Sequence, residues 1–154
     1  MWHRLLFAID QYESGQTALR FTSEIAGGID AQVSVIHIRE ISKWARVPPL
    51  ETPAEAESLV QEAILNLQLA GVRADGIACS VPEDLIASRI FGEARSRMCD
   101  AIIVGSRRLH GMHRLSGRNI RDRILRMTSL PVLVAPTPLR NGIHKPVRFG
   151  SISG

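Results

Sequence analysis

Short apolar runs alternate with amphipathic helical patterns along residues 4–136 of the chain. An apolar or β-branched run of four to eight residues predicts a buried strand, whereas apolar residues spaced three and four apart predict a helix. Regular alternation of the two is typical of a parallel sheet whose strands are joined by helical crossovers. The pattern therefore predicts one α/β domain with a doubly wound, five-stranded parallel sheet and helices on both faces.

The same alternation sets the expected boundaries. Parallel strands are predicted near residues 4–9, 31–38, 73–80, 101–105 and 131–135. Helices are predicted between them, over residues 14–28, 54–71, 82–98 and 118–129. Gly27-Gly28 and Gly71 are interpreted as helix ends and Pro82 as a helix start, because glycine often ends helices and proline fits their first turn.

The chain is long enough for one domain of this kind. Residues 1–136 contain all of the alternating elements, so they are expected to form the domain. Residues 137–154 contain no acidic residue and are rich in glycine, proline and serine. This composition predicts a basic C-terminal tail that is extended or disordered.

Hydropathy and cysteine usage narrow the class of protein. No apolar run approaches the 18 or so residues of a membrane helix, and Asp10 and Glu13 interrupt the first apolar stretch too early for a signal peptide. We therefore expect a cytoplasmic protein that does not bind membranes. Cys79 and Cys99 lie in apolar surroundings without metal-ligand spacing, so they are predicted to be small buried hydrophobic residues.

Positive charge is concentrated in one segment. The formal net charge is +4, yet residues 105–126 contain seven arginines and one acid, so they carry +6 and the other 132 residues sum to −2. Such a segment is a solvated surface, a site for an anionic ligand or an interface for an acidic partner. Nucleic acid is disfavoured because the whole chain has only seven aromatic residues to stack on bases.

Three predicted strands end in residues that suit a ligand site: Asp10, Ile38-Arg39 and Gly105-Ser106. In doubly wound sheets, ligands bind beyond the carboxyl ends of the strands, where the strand order reverses. Each position also has a structural alternative. Asp10 also suits capping of the turn that follows it, although the topology favours a ligand contact. Gly105-Ser106 is equally suited to a tight turn.

No catalytic constellation is present in the sequence. It lacks a Ser-His-Asp arrangement, paired carboxylates in a loop and the phosphate-binding motif G-x-x-x-x-G-K-[S/T]. His110 and His113 have no third metal ligand nearby, so no metal site is expected, and His37 is predicted to pack in or beside the sheet. The segment HGMH is similar to the HxGH signature of nucleotidyl transferases, but its order and position differ. We therefore expect a binding protein rather than an enzyme.

Three segments together resemble the universal stress protein family: LLFAID at 5–10, VSVIHIRE at 33–40, and DAIIVGSR through LPVLVAP over 100–136. The resemblance implies the strand order 3-2-1-4-5, a regulatory or binding role in stress, and nucleotide contacts at Asp10 and Ile38. It also implies a homodimer joined along the fifth strands. The apolar run LPVLVAP at the predicted sheet edge independently favours such pairing.

ATP-binding members of that family carry G-x-x-G-x(9)-G-[S/T] after the fourth strand. Laid on this sequence without gaps, the motif matches at Gly105, whereas Arg108, Arg118 and Asn119 replace the two other glycines and the hydroxyl residue. Arginine neither adopts a positive φ cheaply nor lets backbone N–H groups approach a phosphate as glycine does. The resemblance therefore implies a degenerate phosphate loop that binds ATP weakly or not at all.

Two alternatives remain open for this loop. The side chains of Arg107, Arg108 and Arg118 are able to contact phosphate in place of the missing backbone groups, which would make the protein a binder of ATP or another adenine nucleotide. The second alternative is slow ATP hydrolysis at the same cleft.

Overall fold

The computed structural model describes residues 1–43, 48–106 and 120–137, without the side chains of residues 13, 14, 120 and 121. Strands and helices alternate through these residues. In chain order they are β1 (Arg4–Ala8), α1 (Glu13–Ile29), β2 (Gln32–Ile41), α2 (Pro53–Leu69), β3 (Ala74–Pro82), α3 (Ile86–Ser96), β4 (Ala101–Val104), α4 (Ile120–Met127) and β5 (Val132–Val134). A 3₁₀ turn, Glu83–Leu85, leads into α3.

The strands form one five-stranded sheet in the order β3-β2-β1-β4-β5, and every neighbouring pair is parallel. This confirms the predicted fold class and the strand order that the resemblance implied. The chain adds β2 and β3 on one side of β1 and then returns to add β4 and β5 on the other side. The strand order therefore reverses between β1 and β4.

Helices cover both faces of the sheet. On one face, α1 and α2 pack against Leu5 and Phe7 of β1; on the other face, α3 and α4 pack against Leu6 of β1 and Ile102 of β4. These strand residues have no solvent-exposed surface. Because a strand covered on both faces has no polar side, its sequence is a continuous apolar run rather than an alternating one.

Gly27 and Gly28 do not end α1, contrary to the prediction. The helix continues through them to Ile29, and Asp30 then adopts a left-handed conformation with φ 53°. Both glycines lie on the open side of the helix, where a Cβ atom would meet no atom of the packed core within 4 Å. They weaken the helix locally, but the fully buried Ala26 holds this turn against the core.

The other two predicted helix boundaries had different outcomes. Gly71 has a φ of +82° and follows the end of α2, as expected of a residue that ends a helix. Pro82 is the last residue of β3 rather than the first residue of a helix. It is paired with Ile41 of β2, so the sheet continues to this proline before the 3₁₀ turn begins.

A buried carboxylate fastens α3 to the edge strand β3. Glu93 of α3 is bonded by Arg89, at 2.7 Å, and by the Nε of Arg97. The same Arg97 donates from Nη1 to Asp75 of β3, at 2.6 Å. These side-chain bonds thus link two arginines and two acids across the contact between α3 and β3.

Burial by itself raises the pKa of Glu93, but the hydrogen bonds from Arg97 and Arg89 outweigh it and hold that pKa below its ordinary value of 4.5. A carboxyl whose pKa is lower in the folded state stabilises the fold above its unfolded-state pKa. That stabilisation disappears as the pH falls through the folded-state pKa.

We predict that Glu93→Gln lowers the free energy of unfolding at neutral pH by roughly 1.5–3 kcal/mol, because charge-assisted hydrogen bonds at a buried site are lost. Denaturant unfolding should also show that the difference from the native protein shrinks as the pH falls below 4.5. Glu24→Gln, at an exposed position of α1, is the control and should change stability little. Equal stability of the two variants at neutral pH would contradict the role given to Glu93.

Candidate functional site

The carboxyl edge of the sheet has a step where the strand order reverses. β1 ends at Ala8, which is paired with Ile36 of β2 and with Val104 of β4. β2 continues from Ile36 to Ile41 and stays paired with β3 as far as Pro82. At about 3.3 Å per residue, these five residues extend roughly 16 Å beyond the end of β1. The ends of β1 and β4 therefore lie at the base of this step, and β2 with β3 forms its raised side. We call the space above the base the cleft, with the ends of β1 and β4 as its floor and β2 with β3 as its wall.

Four of the predicted site residues lie at the base of this step. The last residue of β1, Ala8, is paired with Ile36 and Val104. Asp10, Ile38 and Ser106 each lie two residues after one of these three paired residues, and Gly105 lies one residue after Val104. The structure therefore brings together the chain segments that the sequence pattern placed at one sheet edge. Their contact with a ligand remains a prediction.

Asp10 forms a tight turn between β1 and α1. Its Oδ1 accepts a hydrogen bond from the main-chain N–H of Tyr12, at 2.9 Å. This is the capping bond that the sequence left open as the structural alternative for this residue. A carboxylate has two oxygens that accept several hydrogen bonds, so the capping bond and a ligand contact are compatible.

Gly15 brings the first turn of α1 against the main chain of Asp10, which lies before the helix begins at Glu13. A Cβ atom on Gly15 would lie 2.2 Å from the carbonyl oxygen of Asp10, and the Gly15 N–H donates to the carbonyl of Tyr12 at 2.8 Å. Only glycine leaves room for this approach. This contact was not predicted from the sequence, although a glycine inside the first turn of a predicted helix is an unfavourable choice that signals a local constraint.

Ile38 contributes to the wall of the cleft. It lies three residues before the end of β2, so the strand is longer than the predicted end at residue 38. It is paired with Cys79 of β3 and is partly buried against the core beneath α3 and α4. Continuing the register of β1 and β2, in which Ala8 is paired with Ile36, places Ile38 level with Asp10.

Gly105 and Ser106 leave β4 beside the end of β5. The Ala135 N–H donates to the carbonyl of Val104 at 2.8 Å, and the hydroxyl of Ser106 donates to the carbonyl of Pro136 at 3.2 Å. These bonds hold the first residues of the basic segment against the segment that follows β5.

The remaining predicted loop residues are Arg107, Arg108, Arg118 and Asn119, which lie outside the described residues. His110, His113 and the tail beyond Thr137 also lie outside them. Within the described part of the chain, no group of three or more His, Cys, Asp or Glu side chains is arranged to hold a metal ion.

A buried histidine lies directly beneath the Asp10 turn. The Nδ1 of His37 is 2.8 Å from the carbonyl oxygen of Ile9, and its Nε2 is 2.7 Å from Oε1 of Glu51. The main-chain oxygen of Glu51 also accepts from the Nε of Arg39, at 2.7 Å. The sequence predicted that His37 packs in or beside the sheet, but not that Glu51 returns from a distant loop to meet it.

Charged side chains lie just beyond the ends of β2 and β3. Lys43, just after β2, donates to Asp84 at 2.7 Å. This bond lowers the pKa of Asp84, and the positive charge of Arg123 on α4 adds to the effect. At least one arginine of the basic segment therefore lowers the pKa of an acid in the same protein.

The prediction that the cysteines are buried is confirmed for Cys99 and holds only in part for Cys79. Cys99 is buried and Cys79 is half-buried. Burial raises the pKa of Cys99 to about 11. Burial also raises the pKa of Cys79, although the positive charge of Arg89 opposes it. Neither thiol has the lowered pKa of a reactive cysteine.

The model of the universal stress protein family matches residues 1–136. A structure from this family in Burkholderia pseudomallei is 22% identical, with a TM-score of 0.65, and the match covers 87% of this chain and 96% of that one. The universal stress protein from Archaeoglobus fulgidus in complex with dAMP is 18% identical, with a TM-score of 0.63 and coverage of 87% and 98%. A family protein from Arabidopsis thaliana with AMP bound is 15% identical, with a TM-score of 0.62 and coverage of 94% and 98%.

These likenesses show the fold. No curated protein resembles the chain closely enough to be a match. None of the described helices is both long enough and apolar enough to cross a bilayer.

We predict that Gly15→Ala lowers the free energy of unfolding by about 1–3 kcal/mol, because its methyl group overlaps the Asp10 carbonyl and forces the turn to move. Denaturant unfolding measures the change. The matched control is Gly28→Ala in the same helix, where the added methyl group meets no atom within 4 Å. The control should be neutral or stabilising by up to about 1 kcal/mol. If both variants behave alike, the close approach at Gly15 is not a constraint.

Proposed function

Because the chain belongs to the universal stress protein family, we propose that it is a regulatory binding protein of the cytoplasm whose strand-end cleft takes an adenine nucleotide. Its phosphate loop is degenerate, so it binds the triphosphate of ATP weakly or not at all. The observation that carries the proposal is the step in the sheet edge, which gathers Asp10, Ile38 and Gly105-Ser106 at the reversal of strand order.

Relatives of the same fold support a nucleotide as the ligand. Solved universal stress proteins include complexes with cAMP, dAMP and AMP. Each of these ligands combines an adenine base with a single phosphate group. A cleft with an apolar wall at Ile38 and an acid at Asp10 offers suitable groups for a base and for ribose hydroxyls. Binding of such a ligand does not require a loop that encloses a triphosphate.

The sequence of the basic loop supports weak triphosphate binding. Arg108, Arg118 and Asn119 replace three of the four residues expected of a glycine-rich phosphate loop. A charge-assisted bond from a backbone N–H to phosphate contributes about 1.5–3 kcal/mol. The loss of two such bonds weakens binding by about a hundredfold or more, since every 1.4 kcal/mol is about a factor of ten.

Arginine side chains in the same loop offset part of this loss. Arg107, Arg108 and Arg118 supply positive charge to a phosphate, but ordering each long side chain costs entropy. Their attraction to phosphate is also screened by salt when they are exposed. Residual binding of ATP should therefore depend on ionic strength.

In this proposal the protein binds its ligand without turnover, as membership of a family of stress-associated binding proteins suggests. Binding and release of a nucleotide are sufficient for a regulatory protein, which then presents a different surface to its partner in each state.

We also propose that the protein is a homodimer joined along β5. The main chain of β5 bonds β4 through Pro131 and Ala135, so Val132 and Val134 turn their N–H and carbonyl groups to the outer edge. The side chain of Val134 is 39% exposed. An apolar strand edge of this kind favours pairing with a second copy.

We predict that ATP binds weakly and that its binding fades as salt rises from about 10 mM to 150 mM, over which the screening length falls from about 30 Å to about 8 Å. Calorimetry and thermal shifts with ATP, AMP, cyclic AMP and pyrophosphate measure this. The double variant Arg108→Gly, Arg118→Gly should bind ATP more tightly because backbone N–H groups regain access to phosphate. Arg73→Gly, which removes an exposed arginine before the amino end of β3, should leave binding unchanged.

Two results would contradict this prediction. Tight ATP binding by the native protein that is insensitive to salt would show that the arginine loop is a working phosphate site. Multiple-turnover release of phosphate that Asp10→Asn abolishes would show an ATPase rather than a binding protein.

For the dimer, light scattering at tens of micromolar protein should give about twice the chain mass of 17.0 kDa. Val134→Lys should shift the protein towards the monomer, because it places a charge on the pairing edge. Leu69→Lys changes another exposed apolar residue, on α2, and should leave the dimer intact. A native protein that scatters as a monomer would refute the dimer.

A further inference from the structure

An open groove of about 460 Å³ lies between the end of α3 and the connection from α4 to β5. Cys99 lines it just before β4 begins, and Leu130 lines it just before β5 begins. The groove is therefore at the amino edge of the sheet, opposite to the cleft. Its lining includes Phe91, Arg95, Met98, Ser129 and Leu130.

Met98 occupies a backbone position that favours glycine. It lies two residues after the end of α3 and has a φ of 53°. The N–H groups of Met98 and Cys99 donate to the carbonyls of Arg95 and Ala94, at 3.0 and 2.8 Å. This is the bonding pattern of a helix end in which glycine is the usual residue at the position of Met98. Methionine is strained in this left-handed conformation.

The side chain of Met98 is also 83% exposed, although it is large and apolar. Its position thus conflicts with both backbone preference and burial. Such conflicts are expected where a side chain serves a function outside the fold. A thioether chain is flexible and adapts its shape to different apolar partners.

The remaining apolar lining is held more firmly. The Phe91 ring is half-buried on α3. Leu130 packs against the core beneath α3 and α4, and its N–H donates to the hydroxyl of Thr128 at 2.9 Å. One exposed, adaptable side chain therefore faces two fixed apolar groups, an arrangement that suits a large apolar side chain from outside.

Positive charge lies at the same groove. The guanidinium carbon of Arg95 is 5.8 Å from the centre of the Phe91 ring, a contact that leaves guanidinium N–H groups free to donate to a carboxylate. Residues 91–99 and 124–131 build the two walls and contain three arginines and one acid, Glu93. Glu93 is only 6% exposed and is bonded within the fold. The exposed charges of the walls, Arg95 and Arg126, are therefore both positive.

We propose that this groove is a docking site for an acidic segment of another protein. A large apolar side chain of that segment enters between Phe91, Met98 and Leu130. A neighbouring carboxylate accepts hydrogen bonds from Arg95, and the hydroxyl of Ser129 is a further donor. Charge complementarity selects this occupant, because a basic segment would be repelled by the exposed arginines. The site is at the opposite edge from the cleft, so the inference goes beyond the proposed function and does not depend on nucleotide binding.

Two variants separate the charge from the apolar contact. Arg95→Glu reverses the charge at an exposed position. Arg20→Glu is its matched control, because Arg20 is exposed on α1, which covers the other face of the sheet. Met98→Gly removes the apolar side chain and also relieves the backbone strain, so its stability should equal or exceed that of the native protein. Weaker binding without loss of stability is a result that a purely structural Met98 would not give.

The probe is a phage library of random short peptides, selected on the full-length native protein. The enriched peptides should combine acidic residues with a large apolar residue. The tightest of them should bind Arg95→Glu weaker by about tenfold or more, as expected when an arginine anchor is lost. It should bind Met98→Gly several-fold more weakly and Arg20→Glu as well as the native protein. Its addition should shift the amide NMR signals of Met98, Cys99 and Leu130 but not that of Asp10.

Three results would overturn the inference. The first is enrichment of basic or uncharged peptides, or of none. The second is a peptide that binds Arg95→Glu and Met98→Gly as tightly as the native protein. The third is a change of mass in light scattering for these two variants without any peptide binding, which would make the groove an interface between copies of this chain.

Discussion

Burial of β1 on both faces is the constraint on which the rest of the molecule depends. Leu5 and Phe7 face the helices α1 and α2, Leu6 faces α3 and α4, and none of the three is exposed. Two layers of helices must therefore be supplied by the crossovers on either side of this strand. The strand order reverses at β1, because the chain adds β2 and β3 on one side of it and then β4 and β5 on the other side. This reversal creates the stepped edge at the carboxyl end of β1. The candidate site is a geometric result of the way in which the core is covered.

Glu93 and His37, two polar side chains buried in this core, are held by specific partners, and burial without a partner is costly. Glu93 lies between two arginines at the edge strand, and His37 lies between a carbonyl and Glu51 beneath the cleft. The first arrangement fastens a helix to the sheet. The second fastens the end of the central strand to the approach of α2, so the stability of the core and the shape of the cleft share one interaction.

The proposed function combines a cleft that the fold supplies with a loop that its own residues alter. Sheet topology places Asp10, Ile38 and Gly105 together whatever the loop contains, so affinity for a nucleoside with one phosphate does not depend on a glycine-rich cradle. Affinity for a triphosphate does depend on a glycine-rich loop, since backbone N–H groups must approach the phosphates closely. In the proposed function, the arginines at positions 108 and 118 therefore change the preferred ligand while the fold stays the same.

The sequence by itself determined the class of fold, the number of strands and the edge at which a site would lie. Hydrophobic periodicity reports which residues are covered, and the coverage of a parallel strand is a property of its own local run. The helix end at Gly71 also followed from local chemistry. The extension of β2 to Ile41, the continuation of α1 through Gly27 and Gly28, and the close approach at Gly15 did not follow. Each depends on what a neighbouring segment does. The contact between His37 and Glu51 belongs to the same group, because residues 14 positions apart meet only after the chain has turned back on itself. Only the tertiary structure decides such contacts, since they are set by distances in space that no local pattern records.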